Sequence, residues 1–245
     1  MNIDQQKFNS TLTKVFKNNS LSSLLNMDKC DKFYRLTIRM LEENEKYNLT
    51  AITEVDKIIL NHYADCASIA SLIPKGASII DVGCGAGFPT LPLAILREDL
   101  KITAVDSTAK RIAYVDESAR LLGLTNVTAL TMRAEDGGKD PKFRESFDFA
   151  TARAVANMRV LTELCLPFVK VGGTFIAMKG KNAQFELSEA KKAISLLGGR
   201  DTRCEEITLK GDDENASHPL VIIKKKEKTP ASYPRPFAQI SKKPL

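Results

Sequence analysis

Ser78-Ile-Ile-Asp-Val-Gly-Cys-Gly-Ala-Gly-Phe-Pro-Thr-Leu-Pro-Leu-Ala-Ile95 decides how this chain folds. Ser78–Val82 is a short apolar run of strand length. It stops at Gly83-Cys84-Gly85-Ala86-Gly87, where three glycines alternate with small residues. Leu91, Leu93, Ala94, Ile95 and Leu96 then open an apolar helical stretch. Strand, glycine turn and helix in this order form the opening unit of a nucleotide-binding α/β domain. Glycine tolerates positive φ and lets a ligand come against bare backbone.

Upstream, residues 1–73 have helical spacing: Phe8, Leu12, Val15, Phe16, then Phe33, Leu36, Met40, Leu41, then Val55, Ile58, Ile59, His62, Cys66, Ile69. Thr53 and Asp56 are spaced as a capping pair for the last of these helices. Downstream, strands are expected at 101–105, 127–132, 147–152 and 174–178, with helices at 109–122, 160–169 and 185–197 between them. Segments 204–209 and 220–225 look like a closing antiparallel pair around a polar loop. Strand and helix alternation predicts an α/β fold with a doubly wound, mostly parallel sheet. The organisation expected is an N-terminal helical appendage (1–73), a Rossmann-like domain (74–226) and a basic, proline-containing, extended tail (227–245). Ligands of such sheets bind beyond the carboxyl ends of the strands, so the informative residues should follow Val82, Val105, Met132, Ala152 and Met178.

The chain has 245 residues and a net charge of +6. All of that excess lies from Lys224 onward, and residues 1–223 are electrically neutral. A neutral body with a basic end suggests an anionic partner, nucleic acid first, against the plainer reading of a solubilising tail. No apolar run approaches the roughly 20 residues that cross a bilayer, so no membrane association is expected. The polar N-terminus does not read as a signal peptide. Five scattered cysteines without a Cys-x-x-Cys and only two histidines point to a reducing cytoplasm, with neither disulfides nor a metal site.

A dinucleotide fingerprint would need a glycine where Phe88 stands, and no Gly-Lys-Ser/Thr is present for a phosphate loop. The pattern from Asp81 is D-x-G-x-G-x-G, which suits a cofactor without a pyrophosphate: S-adenosylmethionine. Gly83, Gly85 and Gly87 would allow its close approach. Asp106, ending the second strand, would accept ribose hydroxyls, and Arg133-Ala134-Glu135, after the third, would border the adenine edge. Arg153, after the fourth, is placed for the cofactor carboxylate, the substrate or a plain salt bridge.

The acceptor is less legible. The motif usual for exocyclic amines is absent from 148–155, and a pyrimidine C5 acceptor would require a nucleophilic cysteine. Cys165 sits in an apolar helical stretch and reads as core; Cys84 is explained by its small size. A ring nitrogen such as guanine N7 needs neither base nor nucleophile, which is compatible with what is missing. No catalytic residue is assigned.

Tyr47-Asn-Leu-Thr50, His62-x-x-Asp65, Asp81 to Pro89, Val105-Asp-Ser107, Lys110-Arg111, Arg133-Ala-Glu135, Thr151 to Ala156, Leu161 to Pro167, Lys179-Gly180, Tyr233-Pro-Arg235 and Lys242 to Leu245 together resemble the ribosomal RNA small subunit methyltransferase G family. The resemblance implies a class I S-adenosylmethionine-dependent methyltransferase that acts on guanine N7 of bacterial 16S rRNA. Its substrate would be the RNA or a small-subunit ribosomal particle, and the protein would be a cytoplasmic monomer. It implies cofactor contacts at Gly83, Phe88, Ala134, Glu135 and Arg153. His62, Lys179 and Arg235 are the candidate RNA-side residues, with a helix-packing role for His62 and Asp65 as the alternative. The tail departs from the family pattern, with one arginine beside Tyr-Pro and no following glycine; Thr90 replaces a small residue, with no consequence expected. The competing reading is a non-catalytic cofactor-binding RNA or ribosome-assembly protein. Methylation of a small molecule or protein is disfavoured by the basic end.

Overall fold

The computed structural model describes residues 3–211 and 215–245. The first helical repeats fold as α1 (Gln5–Asn18) and α2 (Met27–Tyr47), with Phe8, Leu12, Val15, Phe16, Phe33, Leu36 and Met40 buried. The Asp4 carboxylate and Asn26 side chain cap their N-termini by accepting from Lys7 N (2.7 Å) and Lys29 N (2.9 Å). Asn48 ends α2 in the left-handed region, φ 49°. The third repeat is not one regular helix. It runs as α3 (Val55–Ile58), a π-helical turn (Ile59–Ala64) and α4 (Asp65–Ser68). Its N-cap is Glu54, without a side-chain bond to the backbone of the first turn, so the expected Thr53–Asp56 capping pair does not form.

After α4 the chain alternates: β1 (Ser78–Val82), α5 (Thr90–Leu96), β2 (Lys101–Asp106), α6 (Ala109–Leu121), β3 (Val127–Thr131), α7 (Ala134–Gly137), β4 (Phe147–Arg153), α8 (Met158–Cys165), β5 (Val169–Met178) and α9 (Ala183–Leu196). The strands form a seven-stranded sheet, order β3-β2-β1-β4-β5-β9-β6, with β6 (Gly199–Glu205) and β9 (Leu220–Lys225) joining at one edge. Pairs among β1 to β5 are parallel; β9 is antiparallel to both β5 and β6. The strand order reverses at β1, between β2 and β4, which places a crevice at the carboxyl ends of those three strands. One face of the sheet shares its hydrophobic core with α1, α2 and α5; the other is covered by α8 and α9. Every residue of α5 is buried, as the apolar run from Leu91 to Leu96 requires.

Three further segments differ from the sequence expectation. The helix expected over 160–169 stops at Cys165, because Pro167 has no N–H to continue it, and Leu166–Phe168 form a single 3-10 turn into β5. The strand expected over 204–209 divides. Through Glu205 it pairs with β9, but β7 (Thr208–Lys210) leaves to form a separate hairpin with β8 (Asn215–Ser217). Leu209 is buried against the N-terminal helices, and the Asn19 side chain holds Lys210 N and O at 2.8 and 3.0 Å.

The third is the tail, which is docked rather than extended. Arg235 makes three bonds to Glu163, from N (2.8 Å), Nε (2.8 Å) and Nη2 (2.6 Å), and Glu163 is fully buried. Arg144 donates to the carbonyls of Tyr233, Thr229 and Pro230. α10 (Phe237–Lys242) buries Ile240, and Arg159 donates to the carbonyls of Pro244 and Leu245. Lys225 is fully buried, with Nζ on Leu166 O at 2.9 Å and on the Thr229 hydroxyl. Of the basic residues counted toward a nucleic-acid arm, Lys225 and Arg235 are therefore structural, while Lys228, Lys242 and Lys243 stay exposed.

Thr90, expected to have no consequence, donates its hydroxyl to buried Asp81 at 2.6 Å; Thr151 of β4 donates to the same carboxylate at 3.2 Å. The carboxylate thus ties β1 to β4 and to the start of α5, directly beneath the glycine loop.

Burial pushes the Asp81 carboxyl up to about 6, against the pull of both hydroxyls. A carboxyl raised above its unfolded value holds more protons folded than unfolded between those two values, so its contribution favours folding as pH falls. Asp81→Asn should therefore look most favourable relative to the parent near neutral pH. That advantage should shrink by about 1–2 kcal/mol between roughly pH 7.5 and pH 5. Urea titrations of both proteins at the two pH values measure it, and a pH-independent difference would contradict a raised Asp81. Arg235→Ala leaves the buried Glu163 charge without a cation and should destabilise by about 3 kcal/mol. Arg235→Lys should recover only part, since an ammonium lacks the planar fork that reaches both oxygens; equal stability of all three proteins would show that the pair does not hold the tail.

Candidate functional site

The crevice at β1, β2 and β4 is an open cleft of about 480 Å³. The glycine loop forms its floor. Gly83 has φ 73°, and a side chain there would meet Val155 Cγ2 at 2.8 Å. Gly85 lines the cleft, and nothing lies closer than 4.0 Å to where its Cβ would be, so bare backbone faces the cavity. Gly87 is placed differently: Leu91 Cδ1 would lie 2.7 Å from a side chain there and Val115 Cγ2 3.3 Å. It lets α5 and α6 pack behind the loop and does not line the cleft.

Asp106 anchors the loop from the end of β2. Its Oδ2 accepts from Gly85 N at 3.1 Å and its Oδ1 from Thr108 N at 2.8 Å, with Arg111 Nη1 3.5 Å from Oδ2. Each carboxylate oxygen accepts about two bonds, so acceptor capacity remains on the cleft side. Ser107 continues the same wall, and Met132, Arg133, Ala134 and Glu135 face it from the end of β3. Glu135 is paired with Arg133 at 3.8 Å. Backbone open to close approach and a carboxylate with spare acceptor sites fit a nucleoside carrying free ribose hydroxyls.

The opposite wall is built on Arg153, the last residue of β4. Its Nε lies 3.1 Å from Asp65 Oδ2, and its Nη2 donates to Asn61 O (2.8 Å) and His62 Nδ1 (2.9 Å). With Nη1 on Cys66 Sγ at 4.0 Å, four of its five N–H groups are directed at the π-helical turn and α4. His62 stacks on Phe88, ring centroids 4.4 Å apart and 27° between planes, and the Arg153 guanidinium lies 5.6 Å from the Phe88 centroid. Burial first, and Arg153 second, push the His62 imidazole down to about 3, so it is neutral. His218 closes the cluster, with Nε2 3.1 Å from Asn61 Oδ1 and Nδ1 3.5 Å from Asp65 Oδ1.

Gly83, Gly85, Phe88, Asp106, Ala134, Glu135, Arg153 and His62 thus surround one cleft, and Gly87 stands behind it. Lys179 and Arg235 lie elsewhere. Lys179 Nζ holds Glu186 Oε2 and Ala156 O, both at 2.8 Å, and supports the loop after β4; Arg235 is bound to Glu163. Leu49, Thr50, Val155 and Phe237 also line the cleft and had no assigned place there in the sequence reading. The signal for Thr50 was its place in Tyr47-Asn-Leu-Thr50. For Phe237 no local signal exists, since the tail is brought to the cleft by distant partners, among them Glu163, Arg144 and Arg159. Among the described residues no group of His, Cys, Asp and Glu is arranged to hold a metal ion, and no helix is long and apolar enough to cross a membrane.

Comparison with known proteins identifies the family. The family described as rRNA small subunit methyltransferase G matches residues 29–215. The ribosomal RNA small subunit methyltransferase G of Clostridium perfringens (strain 13) is 48% identical over 228 residues, covering 92% of this chain and 95% of that protein. Its counterpart from Lactobacillus helveticus is 44% identical over 223 residues, covering 89% and 92%. Among solved structures, a SAM-dependent O-methyltransferase from Thermotoga maritima has a TM-score of 0.54 at 17% identity, covering 77% of this chain and 72% of that one. M. jannaschii TYW2 in complex with AdoMet has a TM-score of 0.51 at 17% identity, covering 65% and 73%. At such identity these two likenesses concern the fold, a class I methyltransferase architecture. With 48% identity across nine-tenths of its length, the chain belongs to the ribosomal RNA small subunit methyltransferase G family.

Proposed function

We propose that this protein transfers the methyl group of S-adenosylmethionine to N7 of a guanine in 16S ribosomal RNA, and that it does so in the cytoplasm. Family membership makes it an S-adenosylmethionine-dependent rRNA methyltransferase; the acceptor atom and the roles of individual residues are the finer part of the reading. The observation that carries it is a cleft furnished to hold and orient rather than to deprotonate or attack. Cys84 is the one cysteine lining it, and burial pushes that thiol well up, away from the thiolate a C5 acceptor would need. S-adenosylmethionine supplies an electrophilic methyl on a sulfonium, and guanine N7 offers an in-plane lone pair with no proton to remove. Alignment is then the main contribution asked of the protein.

In this reading the ribose lies at Asp106, the adenine beyond it against Ser107, Ala134 and Glu135, and the amino-acid end points across the glycine loop toward Phe88 and Arg153. Val155 and Phe237, both partly exposed at the mouth, border the space left for the target base.

Nucleoside analysis of 16S rRNA from a strain lacking this protein should show one 7-methylguanosine fewer than the parent strain. An unchanged count would refute the N7 assignment, and loss of a different methylated nucleoside would rename the acceptor. Asp106→Ala should weaken S-adenosylmethionine binding about 10- to 100-fold, the equivalent of losing one or two bonds to a charged acceptor. Calorimetry with the purified protein measures it, and unaltered affinity would take Asp106 out of the cofactor site.

A further inference from the structure

The partners of the His62 ring fix where it carries its proton. Arg153 has donors only, so the His62 Nδ1 that it reaches at 2.9 Å must be an acceptor. The neutral ring therefore carries its proton on Nε2, and the 3.2 Å approach of Nδ1 to Asn61 O is a contact between two acceptors served by the same guanidinium nitrogen. The Nε2–H then donates to Thr50 Oγ1 at 3.0 Å. The Ile52 N–H donates to the same oxygen at 3.1 Å. A hydroxyl has two acceptor positions and one proton, and here both acceptor positions are filled. Thr50 is itself held in place by its own N–H on Asn44 Oδ1, 2.8 Å. Thr50 lines the cleft, and its hydroxyl proton has no acceptor among the described residues, so it is left to donate to what occupies that end.

We infer that the Thr50 hydroxyl donates a hydrogen bond to the carboxylate of the cofactor's amino-acid end, with Arg153 and His62 acting as positioning residues that fix its direction. The inference rests on the cofactor orientation proposed above, in which the amino-acid end lies toward Phe88 and Arg153. That end carries one ammonium and one carboxylate, and an obligatory donor matches only the carboxylate. The protein would thus recognise the carboxylate with a neutral hydroxyl set by a relay, while Arg153 remains bound to Asp65.

Binding calorimetry tests this with two ligands, S-adenosylmethionine and its decarboxylated analogue, on the full-length protein. The parent's affinity for S-adenosylmethionine tests the cofactor reading itself; the variants test the inference. Thr50→Val, which keeps the shape, should bind S-adenosylmethionine about 10-fold or more weakly, and Thr50→Ser should stay near the parent. For the decarboxylated analogue all three proteins should bind alike. His62→Phe keeps an aromatic ring for Phe88 and removes the relay; its loss should match that of Thr50→Val, and the double variant should lose no more than either. Equal weakening of both ligands by Thr50→Val, or no recovery in Thr50→Ser, would mean that the hydroxyl only packs. Unchanged cofactor affinity with a raised KM for RNA would assign the donor to the target base instead, and also overturns the inference.

Discussion

The ion pair between Arg153 and Asp65 is the constraint on which the cleft depends. It joins the end of β4 to the helix that follows the π-helical turn, with Asp65 almost wholly buried. A carboxylate taken out of water this far is tolerated only when its partner and its remaining lone pairs are provided for. Burial pushes the Asp65 carboxyl up, and Arg153 and His218 pull against it. Arg153 pairs with Oδ2 and in the same fork fixes Asn61 O and the His62 ring, whereas Oδ1 is buried without a hydrogen-bond partner among the described residues, the nearest cationic candidate being His218 Nδ1 at 3.5 Å. The N-terminal helices are therefore attached to the sheet by the same group that forms one wall of the cleft. A structural connection and a site wall are one feature here, so the alternative of a plain packing pair for His62 and Asp65 does not compete with a role in the site.

What could be read from the sequence follows from how local each signal is. The strand, the glycine turn and the helix of 78–96 are contiguous, and so are the strand ends that carry Asp106, Ala134, Glu135 and Arg153; period and position sufficed for them. The π-helical turn was not legible, because a wider turn leaves the same apolar residues at nearly the same spacing. Thr90 was misjudged because its partner, Asp81, lies nine residues back across the loop. Gly87 looked like its two companions in sequence, yet faces Leu91 and Val115 rather than the cleft. The tail was the largest miss. Its prolines and lysines suggested an extended arm, and nothing near Arg235 in sequence announces Glu163, 72 positions away.

The two walls of the cleft also differ in kind. The wall at Asp106 and Glu135 presents carboxylates whose backbone and arginine partners leave acceptor sites over, suited to hydroxyls and amines. The wall at Thr50, His62 and Phe88 presents a neutral ring, an aromatic face and a hydroxyl. A charged imidazole there would stand against Arg153, and burial already disfavours it. The two ends of the cleft thus offer unlike surroundings, carboxylates with Arg111 and Arg133 at one and neutral groups with Arg153 at the other.

The docked tail alters what a basic C-terminus can do. A free arm would lose conformational entropy on meeting RNA, and each ordered lysine would weaken the gain from its phosphate contact. Here the ordering has occurred on folding: Lys225, Thr229 and Glu145 fix the start of the segment, Arg235 and Glu163 its middle, and Arg159 its last carbonyls. Lys242 and Lys243 remain exposed at the end of a helix whose first residue, Phe237, lines the cleft. The exposed lysines of this segment are thus carried on backbone that folding has already placed, so the docked tail sets the distribution of the charge more than its amount.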